Sequence, residues 1–270
     1  MRYFIGIIIT IVAALTVTPA FAYGPASSYE PVRIEIIAED GSMLAVIPFS
    51  DFRNGSTQVI KKYLEARKGL NYSIAVRNMT AERVGVVIAV DGRNIISGKQ
   101  SDLKNSEQMY VIEGNGYARL DGWRTDDSTV HKFYFTTVPD SYSARTFNDT
   151  SAMGVIAMAA YREKEKPRPV YRPYKSGNAP APATVEKSMR SKAATSRDES
   201  AGTGFGDAQY APVVRVEFEP ETSPLVKTLV KYEWREVLCK KRLLACGQER
   251  GNRLWDDSSY APFPPGYSKR

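Results

Sequence analysis

The sequence predicts a mainly β protein: an antiparallel β-sandwich with a small C-terminal ββα element docked on it. Three observations carry this. Apolar and polar residues alternate at period two through most of the chain. Turn residues interrupt these runs about every 8 to 15 positions, the spacing of short strands rather than of alternating βα units. Windows with helical spacing are few. With 43% hydrophobic residues, and 16 Tyr and 10 Phe among 270, there is material for one sizeable core.

The elements follow in order. Residues 32–38 (VRIEIIA) and 43–49 (MLAVIPF) read as strands joined by a turn over Glu39-Asp40-Gly41-Ser42. Residues 58–67 are ambiguous, because Val59, Ile60, Tyr63 and Leu64 suit one face of a short helix or an irregular strand. Tyr72, Ile74 and Val76 then alternate with Ser73, Ala75 and Arg77. The strongest signal is residues 84–98, VGVVIAVDGRNIISG, where an apolar strand enters an Asp91-Gly92 turn and leaves as a second strand. A polar loop (99–108), a strand at 109–112, a turn at 114–116 and a strand at 117–120 come next. Gly122-Trp123-Arg124 reads as a corner, Phe133 and Phe135 mark a half-buried strand, and residues 139–148 read as a loop. Residues 154–161 (GVIAMAAY) are apolar enough to be buried on both faces. Two packed sheets, immunoglobulin-like or related in topology, would give each inward stripe a partner.

The second half changes character. Residues 164–210 are rich in Pro, Ala, Ser and charge and nearly free of branched aliphatics. Such a segment buries too little apolar surface to offset its ordering entropy, so it reads as an extended linker. Order returns at 211–247. Val214, Val216 and Phe218 alternate with charged residues, residues 225–232 supply a second strand, and 234–244 read as one short helix stopped by Gly247. A unit this small builds no core alone and should dock back on the sandwich, residues 30–163. Residues 248–270 form a Pro and aromatic tail. Its run Tyr260 to Tyr267 suits docking into a groove, or fraying.

Residues 1–22 read as a cleaved secretory leader. Arg2 is a minimal basic start, Phe4 to Val17 an apolar stretch, and Ala20-Phe21-Ala22 a small-x-small cleavage site. The apolar stretch is shorter than the roughly 20 residues of a permanent anchor, and no later run is long enough to span a bilayer. The expectation is an exported chain, periplasmic or extracellular. Its formal charge of +7 is concentrated between Arg162 and Ser200, where ten Lys or Arg face five Asp or Glu. In an exported chain that segment fits a solvated linker, or peripheral contact with an anionic surface, better than nucleic acid.

Few residues offer chemistry. His131 is the single histidine, so a serine triad or a histidine metal cluster lacks its parts, and no cofactor or metal is expected. Cys239 and Cys246 lie about 10 Å apart on an unbroken helix, beyond bridging range. A disulfide requires the helix to end near Arg242, and bonded and free states both remain open. Gly202-Thr203-Gly204-Phe205-Gly206 resembles a phosphate loop only superficially, since no strand precedes it and no helix follows; it reads as a hinge. Asp91, Asp121, Asp140 and Asp149 all fall in loops, where turn capping accounts for each, although two converging carboxylates could serve glycoside hydrolysis. Trp123, Arg124, Asp140 and Tyr142, read as loop residues, are the candidates for partner contact.

The runs VDGRNIISG, GWR (122–124), DSYSAR (140–145), GVIAMAAY, GTGFG (202–206) and KYEWREVL (231–238) together resemble a family of exported bacterial proteins. The resemblance implies a β-rich extracytoplasmic protein in which the segment after the linker belongs with the sandwich, and it carries over no catalytic residue. The function expected is a non-enzymatic binding or assembly module of the envelope, with an envelope protein or glycan as partner. A secreted hydrolase using loop carboxylates and a structural subunit assembling by strand exchange are the alternatives.

Overall fold

In a computed structural model, which describes residues 29–165 and 200–246, the chain is a mainly β sandwich of two sheets. The expected leader, the bulk of the expected linker and the Pro-rich tail lie outside the described residues.

The strands are β1 (Val32–Ala38), β2 (Val46–Asn54), β3 (Thr57–Ala66), β4 (Asn71–Asn78), β5 (Val84–Val90), β6 (Arg93–Asn94), β7 (Tyr110–Ile112), β8 (Tyr117–Leu120), β9 (Gly122–Arg124), β10 (Thr129–Thr137), β11 (Val155–Arg162), β12 (Ala201–Tyr210) and β13 (Val226–Trp234). The first sheet runs β1-β4-β10-β12, with β8 on β4 and β9 on β10. The second runs β2-β3-β13-β11-β5-β6, with β7 on β5.

Alternation places the core as expected. Val32, Ile34, Ile36, Tyr72, Ile74, Val76, Phe133 and Phe135 of the first sheet face Ile60, Leu64, Val86, Ile88, Ile156, Met158, Val230 and Tyr232 of the second, all buried in one cluster. Strand β5 is buried at every position. Its inner face meets the opposite sheet, and the outer Val87 lies with Ala159 and Tyr161 under Leu103 and Met109. The polar loop at 99–108 therefore acts as a cover, anchored where Tyr161 Oη donates to the Leu103 carbonyl at 2.5 Å.

Several expectations need correction. Residues 58–67, ambiguous between helix and strand, resolve as strand β3 up to Ala66, because β3 pairs antiparallel with β2 and parallel with β13. That parallel pair departs from a purely antiparallel sandwich. Parallel neighbours need a long crossover, and about 160 residues separate these two in the chain. The corner at 122–124 is strand β9, paired with β10. Residues 139–148 contain a 3₁₀ turn (Val138–Asp140) and the short helix α1 (Tyr142–Phe147), capped by the Ser141 hydroxyl accepting from the Ala144 amide.

The larger correction concerns the linker boundary. Its last residues are strand β12, paired with β10 from Thr129↔Tyr210 to Thr137↔Ala201, so the glycine run 202–206 is no hinge. Conversely, residues 213–218 form no strand and belong to neither sheet. The returning chain thus joins the body by placing one strand in each sheet, and β13 sits in the interior of its sheet between β3 and β11. The helix after it, α2 (Arg235–Lys240), is shorter than the expected 234–244, with Arg242 in the left-handed region at φ 57°. This early stop brings the Cys239 and Cys246 Cα atoms to 5.6 Å, and the two are disulfide-bonded.

Candidate functional site

Of the sequence candidates, Trp123 and Tyr142 meet, while Arg124 and Asp140 each find other partners. Trp123 is 2% exposed, and its Nε1 donates to the Gly204 carbonyl at 2.9 Å. Its ring packs on Phe133 and Tyr142, at centroid distances of 5.3 and 4.6 Å. Tyr142 stacks in turn on Phe205, and Phe205 on His131, in a continuous aromatic column. Trp123 therefore has no free face for a ligand. Arg124 lies apart, its Nε donating to Tyr110 Oη and its Nη1 to the carbonyls of Asp126 and Ala211. Asp140 is exposed and accepts from the Thr137 hydroxyl, which accounts for it as a turn cap.

The loop aspartates divide in the same way. Asp149 pairs with Arg93 at 2.6 Å and caps the turn at Ser151. Asp91 is in the core. Positive φ at Asp91 and Gly92 makes the tight turn after β5, and that turn directs the carboxylate inward. There Oδ1 accepts from the Gly154 amide at 2.7 Å and from Tyr232 Oη at 2.5 Å, while Oδ2 accepts from the Thr203 amide at 2.7 Å. Since Tyr232 gives its one proton to Asp91, the Thr203 hydroxyl donates to Tyr232 at 2.7 Å and Tyr72 donates to Thr203 at 2.8 Å. Burial raises the Asp91 pKa to about 6 against the opposing pull of these donors. The same burial holds both tyrosines well above their ordinary value. The network links the sheets through one continuous hydrogen-bond chain, and it is sealed from solvent.

An accessible groove of about 400 Å³ lies on the outer face of the first sheet, lined by Glu39, Asn71, Tyr72, Ser73, Arg119, Asp121, Lys132 and Gln209. Register explains its polarity. Asn71 and Ser73 are the outward positions of β4, flanking the inward Tyr72, and Lys132 is the outward neighbour of Phe133 on β10. Donors and acceptors alternate around it. Glu39 accepts from Lys132 Nζ and Asn71 Nδ2, each at 2.9 Å. Asp121 accepts from Arg119 Nε at 2.9 Å and Gln209 Nε2 at 3.3 Å, and the same Arg119 Nε lies 2.9 Å from Ser73 Oγ. The Lys132 and Asn71 bonds hold the Glu39 pKa below its ordinary value.

Tyr134 flanks this groove, one outward position along β10 from Lys132 and opposite Asn71. Its ring lies over Gly204 of β12, where an added Cβ would collide with it. Sequence reasoning missed the groove except for Asp121, and the signal that was present is the glycine run: Gly204 lets an aromatic ring approach the backbone closely. Among the described residues, no group of three or more His, Cys, Asp or Glu is placed to hold a metal ion. No family model, no curated protein and no solved structure matches this chain.

Proposed function

We propose that this chain is an exported, non-enzymatic binding module of the bacterial envelope whose outer-face groove holds a glycan. The observation that carries the reading is the groove's lining. Carboxylates (Glu39, Asp121) alternate there with amide, guanidinium and ammonium donors (Asn71, Gln209, Arg119, Lys132). Sugar hydroxyls both donate and accept, so a saccharide can replace each of these surface bonds in kind. A strongly charged ligand would meet a like charge wherever it sat. Tyr134, whose ring lies over Gly204 beside the groove, supplies an aromatic ring against which a sugar can pack.

The hydrolase alternative asks for an accessible carboxyl with a raised pKa. Glu39 in the groove is shifted downward, and Asp91, which is shifted upward, is sealed in the core. The leader-like sequence of residues 1–22 supports export, and the basic segment after residue 162 suits contact with an anionic envelope surface.

The test is a heteronuclear NMR titration of the mature protein with muropeptides and neutral oligosaccharides. Shift changes clustered on Asn71, Ser73, Lys132, Tyr134 and Gln209, weakened in Lys132→Ala, are expected. A panel that moves no groove resonance would end the reading.

A further inference from the structure

Residues 213–219, Val-Val-Arg-Val-Glu-Phe-Glu, have the alternation of a strand but no strand partner in the described structure. The segment crosses the outside of the body as a strap, held at its ends. The Ala211 and Val213 amides donate to the Ser128 and Asp127 carbonyls, at 2.7 and 2.9 Å. Beyond it, the Glu219 carbonyl accepts from the Lys164 amide and the Glu221 amide donates to the Arg162 carbonyl. All four anchors are odd-numbered residues. Between the anchors the backbone groups of Val214, Val216 and Phe218 form no backbone hydrogen bond among the described residues. Successive residues of a strand direct N–H and C=O to opposite sides, so these even-numbered residues are the ones available for pairing on the side away from the odd-numbered anchors. Val214 is 87% exposed and Val216 55%, while Phe218 rests against Gly85 under Arg83.

We propose that residues 214–218 are an assembly strand through which two copies of this chain pair antiparallel, two-fold about Val216. The sequence complements itself in that register. Arg215 of each copy stands opposite Glu217 of the other, giving two opposite-charge pairs, and Val214 stands opposite Phe218, giving two apolar ones. Val216 and the Val214/Phe218 pairs occupy hydrogen-bonded positions, which are the residues whose backbone groups are available for pairing. Arg215 and Glu217 occupy the non-hydrogen-bonded positions, where opposed side chains approach most closely. Arg215 currently reaches only an exposed Asp127 at 3.2 Å, a contact it exchanges at little cost. Five residues make a small interface, so the dimer is expected at high-micromolar protein and not at nanomolar.

Sedimentation velocity of the full chain after leader removal, over a concentration series, tests this. Concentration-dependent dimer is expected in the natural sequence, and Val216→Pro, which removes an amide used by nothing in the monomer, should abolish it. Arg215→Glu places like charges opposite each other twice and should weaken association about tenfold. Arg215→Glu combined with Glu217→Arg restores both pairs and should return it to near the natural value. Thermal unfolding of each variant, expected to be unchanged, separates lost pairing from lost folding. A chain that stays monomeric throughout the series overturns the proposal. So does a dimer indifferent to Val216→Pro, or a double reversal that associates no better than the single one.

Discussion

Tyr232 Oη donates a 2.5 Å hydrogen bond to Asp91 Oδ1, joining residues 141 positions apart in the chain. Asp91 directly follows strand β5 of the first half, and Tyr232 belongs to β13, the second strand of the returning segment. With Thr203 and Tyr72 bonded in series, the contact fastens the late segment to both sheets.

Stability should fall as pH rises through the acid range. Asp91 titrates near 6 in the folded chain and at its ordinary 3.8 when unfolded. Between these values the folded state keeps a proton that the unfolded state has released, so raising the pH favours unfolding. The loss is at most about 3 kcal/mol, complete above about pH 6. Urea denaturation at a series of pH values reads it, and Asp91→Asn should flatten that window.

Tyr232→Phe should cost about 1–3 kcal/mol at neutral pH by removing a buried donor and leaving the Thr203 hydroxyl short of an acceptor. It also deprives ionised Asp91 of its strongest donor, so the pH window should extend upward. The same denaturation series shows both effects.

Two glycines should respond differently to alanine. At Gly122 the new Cβ meets the His131 carbonyl and the Lys132 amide, backbone atoms of a paired strand that cannot step aside. At Gly204 it meets the free end of the half-buried Tyr134 ring, which can swing outward. Gly122→Ala should therefore lower stability by about 1–3 kcal/mol, and Gly204→Ala by less than about 1 kcal/mol. Displacing the Tyr134 ring should still weaken glycan binding in Gly204→Ala.

Reducing the Cys239–Cys246 bond should act locally. It closes a short loop, worth about 2 kcal/mol in chain entropy. Helix α2 lies at the margin of the second sheet, touching only β3 and β13 closely. Hydrogen exchange should show amides 235–240 losing protection on reduction while those of β13 keep theirs.

How far the sequence could be read depended on whether a residue's partner was implied by its neighbours. Val32 to Ala38 and Val84 to Val90 were legible because alternation or continuous apolarity states burial directly. Residues 58–67 were not, since Val59, Ile60, Tyr63 and Leu64 fit a helix as well as a strand, and the deciding partner, β13, lies about 160 residues away. The Asp-Gly turn was legible, but the inward aim of Asp91 depends on Gly154, Thr203 and Tyr232. Glycines 202, 204 and 206 have no side chain to show a period, so a paired strand looked like a hinge. Residues 213–218 show the reverse, a strand pattern without a strand beside it. The groove was the least legible, because Glu39, Ser73, Arg119 and Gln209 meet only when four strands are in register.

The account rests on the late segment being part of one two-sheet body, with β12 in one sheet and β13 inside the other. The direct test is to place a protease site between residues 166 and 199, cut the folded protein there, and follow the product by gel filtration and denaturant unfolding. The two pieces should elute as one particle and unfold in a single transition that also separates them. Pieces that part under native conditions, with the first keeping its own cooperative transition, would contradict it.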